Sequence, residues 1–200
     1  PGGGNLTIGT GSSALVLPTV TGFLGHLIIG GTLTPPTLQP DGTSVLVVNT
    51  NNLFLAVDLV TGGDLTLLGG DITFQNELIQ AGGGPGGNGV EGGLGDILMI
   101  AVGNLGVAQG EGIITTESVE TLIEGASLTM IAAGAVTDAT SMVVDLTSTG
   151  ELQVAQGSGE APQFGRLTAA PTVLSEAYVE FLNTLGLTLS PLRKRSSSIA

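Results

Sequence analysis

Carboxylates are the only plentiful reactive groups in this 200-residue chain, which has 17 Asp and Glu, one His and no Cys. Four of them, Asp58, Asp64, Asp71 and Asp96, stand beside short apolar runs. A pair of carboxylates on one face is the minimal equipment of an inverting glycoside hydrolase. Asp is also a turn residue, so the same positions are expected at corners as strand terminators. A polysaccharide lyase that removes its proton with Arg or Lys has no candidate in residues 1 to 165. The basic residues are Arg166, Arg193, Lys194 and Arg195, and 15 of the 17 acids precede them. A Ser-His-Asp device must centre on His26, which opens the run His26-Leu-Ile-Ile and reads instead as a strand start. The absence of Cys removes disulfides, thiolate catalysis and Cys-based metal sites together.

A glycine-rich stretch offers one further chemistry. Gly86-Gly-Asn-Gly-Val-Glu91 and Gly92-Gly-Leu-Gly-Asp96 approach the spacing in which calcium is clamped between successive turns of a solenoid. Glu91 and Asp96 are therefore the candidate calcium ligands, though the expectation for the chain is no cofactor and no metal site. One and a half imperfect copies supply half a ligand shell. No Lys-Ser or Lys-Thr follows the loop, so it is not a phosphate cradle. A net charge of −13 argues against a nucleic-acid partner, because duplex binding depends on cations that neutralise phosphates. It favours solubility by self-repulsion.

The elements that must carry these groups are short runs of Val, Ile, Leu and Thr bounded by Gly, Asn, Asp or Ser, the local signature of strands joined by tight turns. Asn104-Leu-Gly-Val-Ala-Gln-Gly110 returns as Glu151-Leu-Gln-Val-Ala-Gln-Gly157, with Ser127-Leu-Thr-Met-Ile-Ala-Ala-Gly134 midway. A self-similar period of this size predicts a solenoid whose coils bury their apolar faces by stacking. From Ile97 the runs begin at 97, 105, 113, 122, 128, 136, 143 and 152, so three runs make a coil of about 23 residues. Leu105, Leu128 and Leu152 are expected in one inward ladder, with Val107, Met130 and Val154 beside them. Upstream, Leu6, Leu27, Val45 and Leu65 suggest shorter coils. About seven coils at a strand spacing of ~4.8 Å would make a stack roughly 35 Å long. Hydrophobic residues are 42% and aromatics 3%, so the bore is filled by aliphatic side chains. Gly69-Gly70, Gly103-Asn104, Gly110, Gly125 and Gly134 are the expected corners.

Two stretches break the pattern. The glycine loop, residues 82 to 95, and the proline-rich segment Thr32 to Gly42 are expected to bulge from the stack, since Pro cannot donate to a ladder. The longest apolar stretch, Ile97 to Ala108, is interrupted by glycines and too short for a transmembrane helix. Residues 1 to 160 thus read as the repeat region, and 161 to 200 as a loop, an amphipathic helix and a basic tail. The helix is expected over Val173 to Leu185, with Leu174, Ala177, Tyr178, Phe181, Leu182 and Leu185 on one face. It would either cap the last coil or begin a further module.

Asp64-Leu-Thr-Leu-Leu-Gly-Gly-Asp-Ile-Thr-Phe74, then Leu78-Ile-Gln-Ala-Gly82 and Gly95-Asp-Ile-Leu-Met-Ile-Ala-Val-Gly103, resembles the repeats of filamentous-haemagglutinin-like exoproteins. The resemblance covers about residues 60 to 157. It implies an all-β fold, a right-handed parallel β-helix, here with a short C-terminal α-helix. It also implies a secreted or cell-surface protein, exported across a Gram-negative outer membrane by a partner transporter. The amino-terminal Asn-Pro-Asn-Gly secretion motif of such proteins is not in this sequence, and the start Pro1-Gly-Gly-Gly4 reads as a cut from a longer parent. The functional expectation is an adhesin or elongated stalk whose partner is a glycan or protein on a host or neighbouring cell. A β-helical carbohydrate hydrolase using Asp58, Asp64, Asp71 and Asp96 is the alternative.

Overall fold

A computed structural model describes residues 6–8, 20–23, 26–34, 45–48, 52–75, 77–82, 95–102, 112–117, 120–147, 150–168, 188–189 and 193–194. The chain winds as a right-handed parallel β-helix with three long faces. Sheet A stacks β1 (Leu6–Ile8), β3 (Leu27–Ile29), β8 (Leu65–Gly69), β11 (Ile97–Ala101), β14 (Leu128–Ala132) and β17 (Leu152–Gln156), all parallel. Sheet B stacks β6 (Leu53–Leu55), β9 (Ile72–Phe74), β12 (Ile114–Thr116) and β15 (Val136–Thr137). Sheet C stacks β2 (Val20–Phe23), β7 (Leu59–Thr61), β10 (Leu78–Ala81), β13 (Thr121–Gly125), β16 (Met142–Leu146) and β19 (Arg166–Thr168). Parallel strands normally need helical crossovers, and here the other two faces of each coil take that role. With six parallel strands on sheet A, the described stack is six coils, roughly 29 Å long, where seven coils and roughly 35 Å were expected.

The core follows from alternation. Leu65, Leu67, Ile97, Met99, Leu128, Met130, Leu152 and Val154 point into the bore and are at most 2% exposed. The expected stacking of Leu128 on Leu152 and of Met130 on Val154 is observed. The place beside Leu128 belongs to Ile97, 31 residues upstream, and not to Leu105, which lies outside the described residues. The cause is an insertion. Residues 103 to 111 separate β11 from β12, so this coil contains four runs while the next, from Leu128 to Leu152, contains three. Alternation fixes which side chains face inward but not the phase of the coil, and a strand-like insertion was therefore free to imitate a repeat. The shared Met-Ile-Ala of β11 and β14 was the better guide.

Upstream, Leu6 does pair with Leu27, but Leu27 pairs with Leu65 across 38 residues. Val45 is not a coil start. It belongs to β5 (Val45–Val48), which pairs antiparallel with β4 (Gly31–Thr34). β4 and β5 thus form a hairpin in the chain between sheets A and B, and residues 35–44 with their prolines lie outside the described residues. Gly30 turns the chain into this hairpin, with φ +87° and a virtual Cβ that would lie 1.7 Å from the Leu68 carbonyl oxygen.

At the other end two short strands pair with the last coil. β20 (Thr188–Leu189) pairs antiparallel with β17, and β21 (Arg193–Lys194) pairs with β18 (Gln163–Phe164). Sheet B ends at β15, whose Val136 N–H donates to Gln156 Oε1 at 3.1 Å. The amide stands where a further strand would be, and its Nε2 donates to the Glu160 carbonyl at 2.9 Å. The expected helix at 173 to 185 lies outside the described residues. The helical element among the described residues is a 3-10 turn at Ala139–Ser141, entered through Asp138 at φ 52°.

Candidate functional site: the acidic corners

Each turn between faces leaves an N–H that the strand ladder does not reach, and buried or half-buried donors of this kind must be paired. The corner side chains pair them. Asp64 Oδ1 accepts the Asp96 N–H at 3.0 Å, Asp71 Oδ1 accepts the Ile113 N–H at 3.0 Å, and Asp58 Oδ1 accepts the Leu78 N–H at 2.9 Å. Asn52 Oδ1 and Ser127 Oγ do the same for Asp71 and Glu151 at 3.1 and 3.3 Å. In every case a side chain in one coil holds the backbone at the equivalent position of the next. Hydrogen bonds to a charged acceptor are worth about 1.5–3 kcal/mol when shielded and less at exposed corners.

The four acids singled out from sequence are therefore spread over three corners. Asp64 and Asp96 share the corner before sheet A, Asp71 lies before sheet B, and Asp58 before sheet C. Only Asp64 and Asp96 are neighbours. Partial desolvation pushes the Asp96 carboxyl up, the like charge of Asp64 adds to this, and hydrogen bonds from Ser127 pull it back. Asp96 thus has the Ser127 hydroxyl and backbone as partners, whereas Glu91, its expected companion on calcium, lies outside the described residues. Among the described residues no group of three or more His, Asp or Glu could hold a metal ion.

His26 does stand immediately before a strand, and its Nε2 lies 2.8 Å from Thr66 Oγ1. Burial lowers its pKa and the nearby Asp64 carboxylate partly restores it. An acid, an imidazole and a hydroxyl are thus gathered, but Thr66 is only 2% exposed, so a substrate has no access to that oxygen. The group is structural.

Sequence reasoning missed Glu77. It is 4% exposed and is the buried acid among the described residues. It faces inward at the corner between sheets B and C, where Oε1 accepts the Gln75 N–H and Oε2 accepts the Thr121 hydroxyl at 3.1 Å. Thr121 Oγ lies 3.0 Å from Thr116 Oγ, which is 3.4 Å from the Phe74 carbonyl oxygen. Burial raises the Glu77 pKa above its ordinary value, hydrogen bonds from Gln75 and Thr121 lower it, and the Asp58 carboxylate raises it. No sequence signal separates this acid from its exposed neighbours, because its partner Thr121 is 44 residues away.

The outer faces differ in chemistry. On sheet C, Gln80 Nε2 donates to Glu124 Oε2 at 2.7 Å, and Asp145, the register partner of Glu124, meets Arg166 at 3.4 Å. On sheet B, Phe54 is 46% exposed and heads a row continued by Thr73, Thr115 and Thr137. Comparison of the chain with protein-family models, with curated proteins and with solved structures gives no match, so the parallel β-helix rests on strand order and register alone.

Proposed function

We propose that this chain is a segment of a large exported bacterial exoprotein, in which it serves as an elongated stalk or adhesive surface. The observation that carries this reading is the use made of the acids: Asp58, Asp64 and Asp71 each commit an oxygen to the backbone of the next coil. Carboxylates spent on holding corners in register lengthen and stiffen a solenoid. The repeat resemblance to filamentous-haemagglutinin-like proteins supports the same reading. On this reading the protein works at a Gram-negative cell surface or in the medium, with a partner transporter for export and a surface glycan or protein as the binding target.

The test is enzymatic as well as adhesive. Purified protein should bind intact cells or immobilised surface glycans and should release neither reducing sugar nor unsaturated product from acidic or neutral polysaccharides. Reproducible turnover that Asp71→Asn abolishes would overturn the stalk reading in favour of a carboxylate-dependent hydrolase.

A further inference from the structure

Aromatic side chains are 3% of this sequence, and Phe74 and Phe164 spend theirs in the core, fully buried. Phe54 does the opposite. It is 46% exposed, on the outer face of sheet B between inward Leu53 and Leu55. A single exposed ring needs no explanation by itself, but its setting supplies one. Register places Thr73, Thr115 and Thr137 in line behind it, so one ring is followed by three half-buried threonines at the strand spacing of ~4.8 Å, a row roughly 14 Å long. Exposed Gln75 and Glu117 border the row, with the Gln75 Nε2 donating to Glu117 Oε2 at 3.2 Å. A threonine hydroxyl donates once and accepts twice, so Thr115 keeps acceptor capacity after donating to Asp138 Oδ2 at 3.3 Å.

We propose that this row is a binding strip for an uncharged glycan chain, lying along the solenoid axis with one pyranose ring stacked on Phe54 and the following sugars hydrogen-bonded to the threonines. The inference rests on the adhesive reading above and names its ligand. A pyranose has an apolar C–H face and a rim of hydroxyls, which an aromatic ring followed by hydroxyls, an amide and a carboxylate matches group for group. The charge of the face selects among glycans. Asp71, Glu117 and Asp138 flank the row, and the chain has no Lys or Arg before Arg166, on sheet C, so an acidic polysaccharide is repelled. A protein partner is disfavoured, because one ring is far short of the apolar centre of an interface that buries about 800 Å² a side.

The test titrates the full chain with neutral hexasaccharides of gluco, xylo and manno configuration and follows backbone amide shifts. At least one of them should move Phe54, Thr73 and Thr115, and hexagalacturonate should not. Phe54→Ala should weaken that binding about tenfold or more, as truncation of an aromatic anchor does, while Phe54→Tyr, which keeps the ring, should bind as wild type does. Should Phe54→Ala fail to fold, the map of shifts in wild type decides. Shifts confined to another face, or an affinity that Phe54→Ala leaves unchanged, overturn the strip. Wild type that adheres to cells but binds none of the hexasaccharides also overturns it and leaves the adhesive reading standing, whereas wild type that neither adheres nor binds removes both.

Discussion

Sheets A and C wind through the same coils, yet the outer face of one carries a continuous buried apolar row and the outer face of the other a half-buried polar one. On the outer face of sheet A one row, Leu68, Ile100, Ile131 and Ala155, is at most 2% exposed and lies outside the central core cluster, while the row beside it runs from buried Ile28 and Thr66 to half-buried Leu98, Thr129 and Gln153. On the outer face of sheet C the corresponding row is Gln80, Glu124 and Asp145, half-buried and polar, beside a row of apolar Leu78, Leu122 and Val143, the first two half-buried and the last buried. The strand sequences state the difference directly. Ile97-Leu-Met-Ile-Ala and Leu128-Thr-Met-Ile-Ala are nearly unbroken apolar runs, as expected of strands covered on both sides. Thr121-Leu-Ile-Glu-Gly and Met142-Val-Val-Asp-Leu alternate toward their ends, as expected of strands with one wet face. The buried row of sheet A thus extends the core outward, and the polar row of sheet C meets solvent.

A charge placed on each outer face should separate the two most sharply. Ile100→Glu puts an unpaired carboxylate where the wild-type residue is 1% exposed and should cost several kcal/mol, about 4 or more, or abolish folding. Thermal or urea unfolding reads this, and a cost under about 1 kcal/mol would show that the outer face of sheet A is wet. Leu128→Ala removes an inward side chain between Ile97 and Leu152 and should cost about 2–5 kcal/mol. Glu124→Lys, on the outer face of sheet C beside Asp145, should change stability by no more than about 0.5 kcal/mol. Similar costs for Ile100→Glu and Glu124→Lys would erase the distinction between the sheets.

The solenoid itself was legible because turn residues and two-residue alternation are local signals. Leu128, Met130, Leu152 and Val154 were correctly placed by them. The phase of the coils was not legible wherever an excursion intervened, since residues 31 to 48 and 103 to 111 contain strand-like runs of their own. Val45 was drawn into the wrong coil for this reason. At the corners, sequence showed that Asp58, Asp64, Asp71 and Asp96 would stand at strand ends, but not that each coil's side chain holds the backbone of the next. That depends on which residues become coil neighbours, 20 residues apart for Asp58 and Leu78 and 42 for Asp71 and Ile113. Glu77 was invisible for the same reason.

The register of sheet A on either side of residues 103–111 fixes the phase of the coils, and a chain without Cys allows it to be tested by pairwise cross-linking. Leu98 and Thr129 are register partners on the outer face of sheet A, at a strand spacing of ~4.8 Å that a disulfide can bridge. The double variant Leu98→Cys/Thr129→Cys should close on mild oxidation without loss of folding, while Gly106→Cys/Thr129→Cys, the pair implied by the Asn104–Gly110 repeat, should remain reduced. Efficient closure of the second pair and not the first would contradict the pairing of Leu98 with Thr129 and return Leu105 to the ladder.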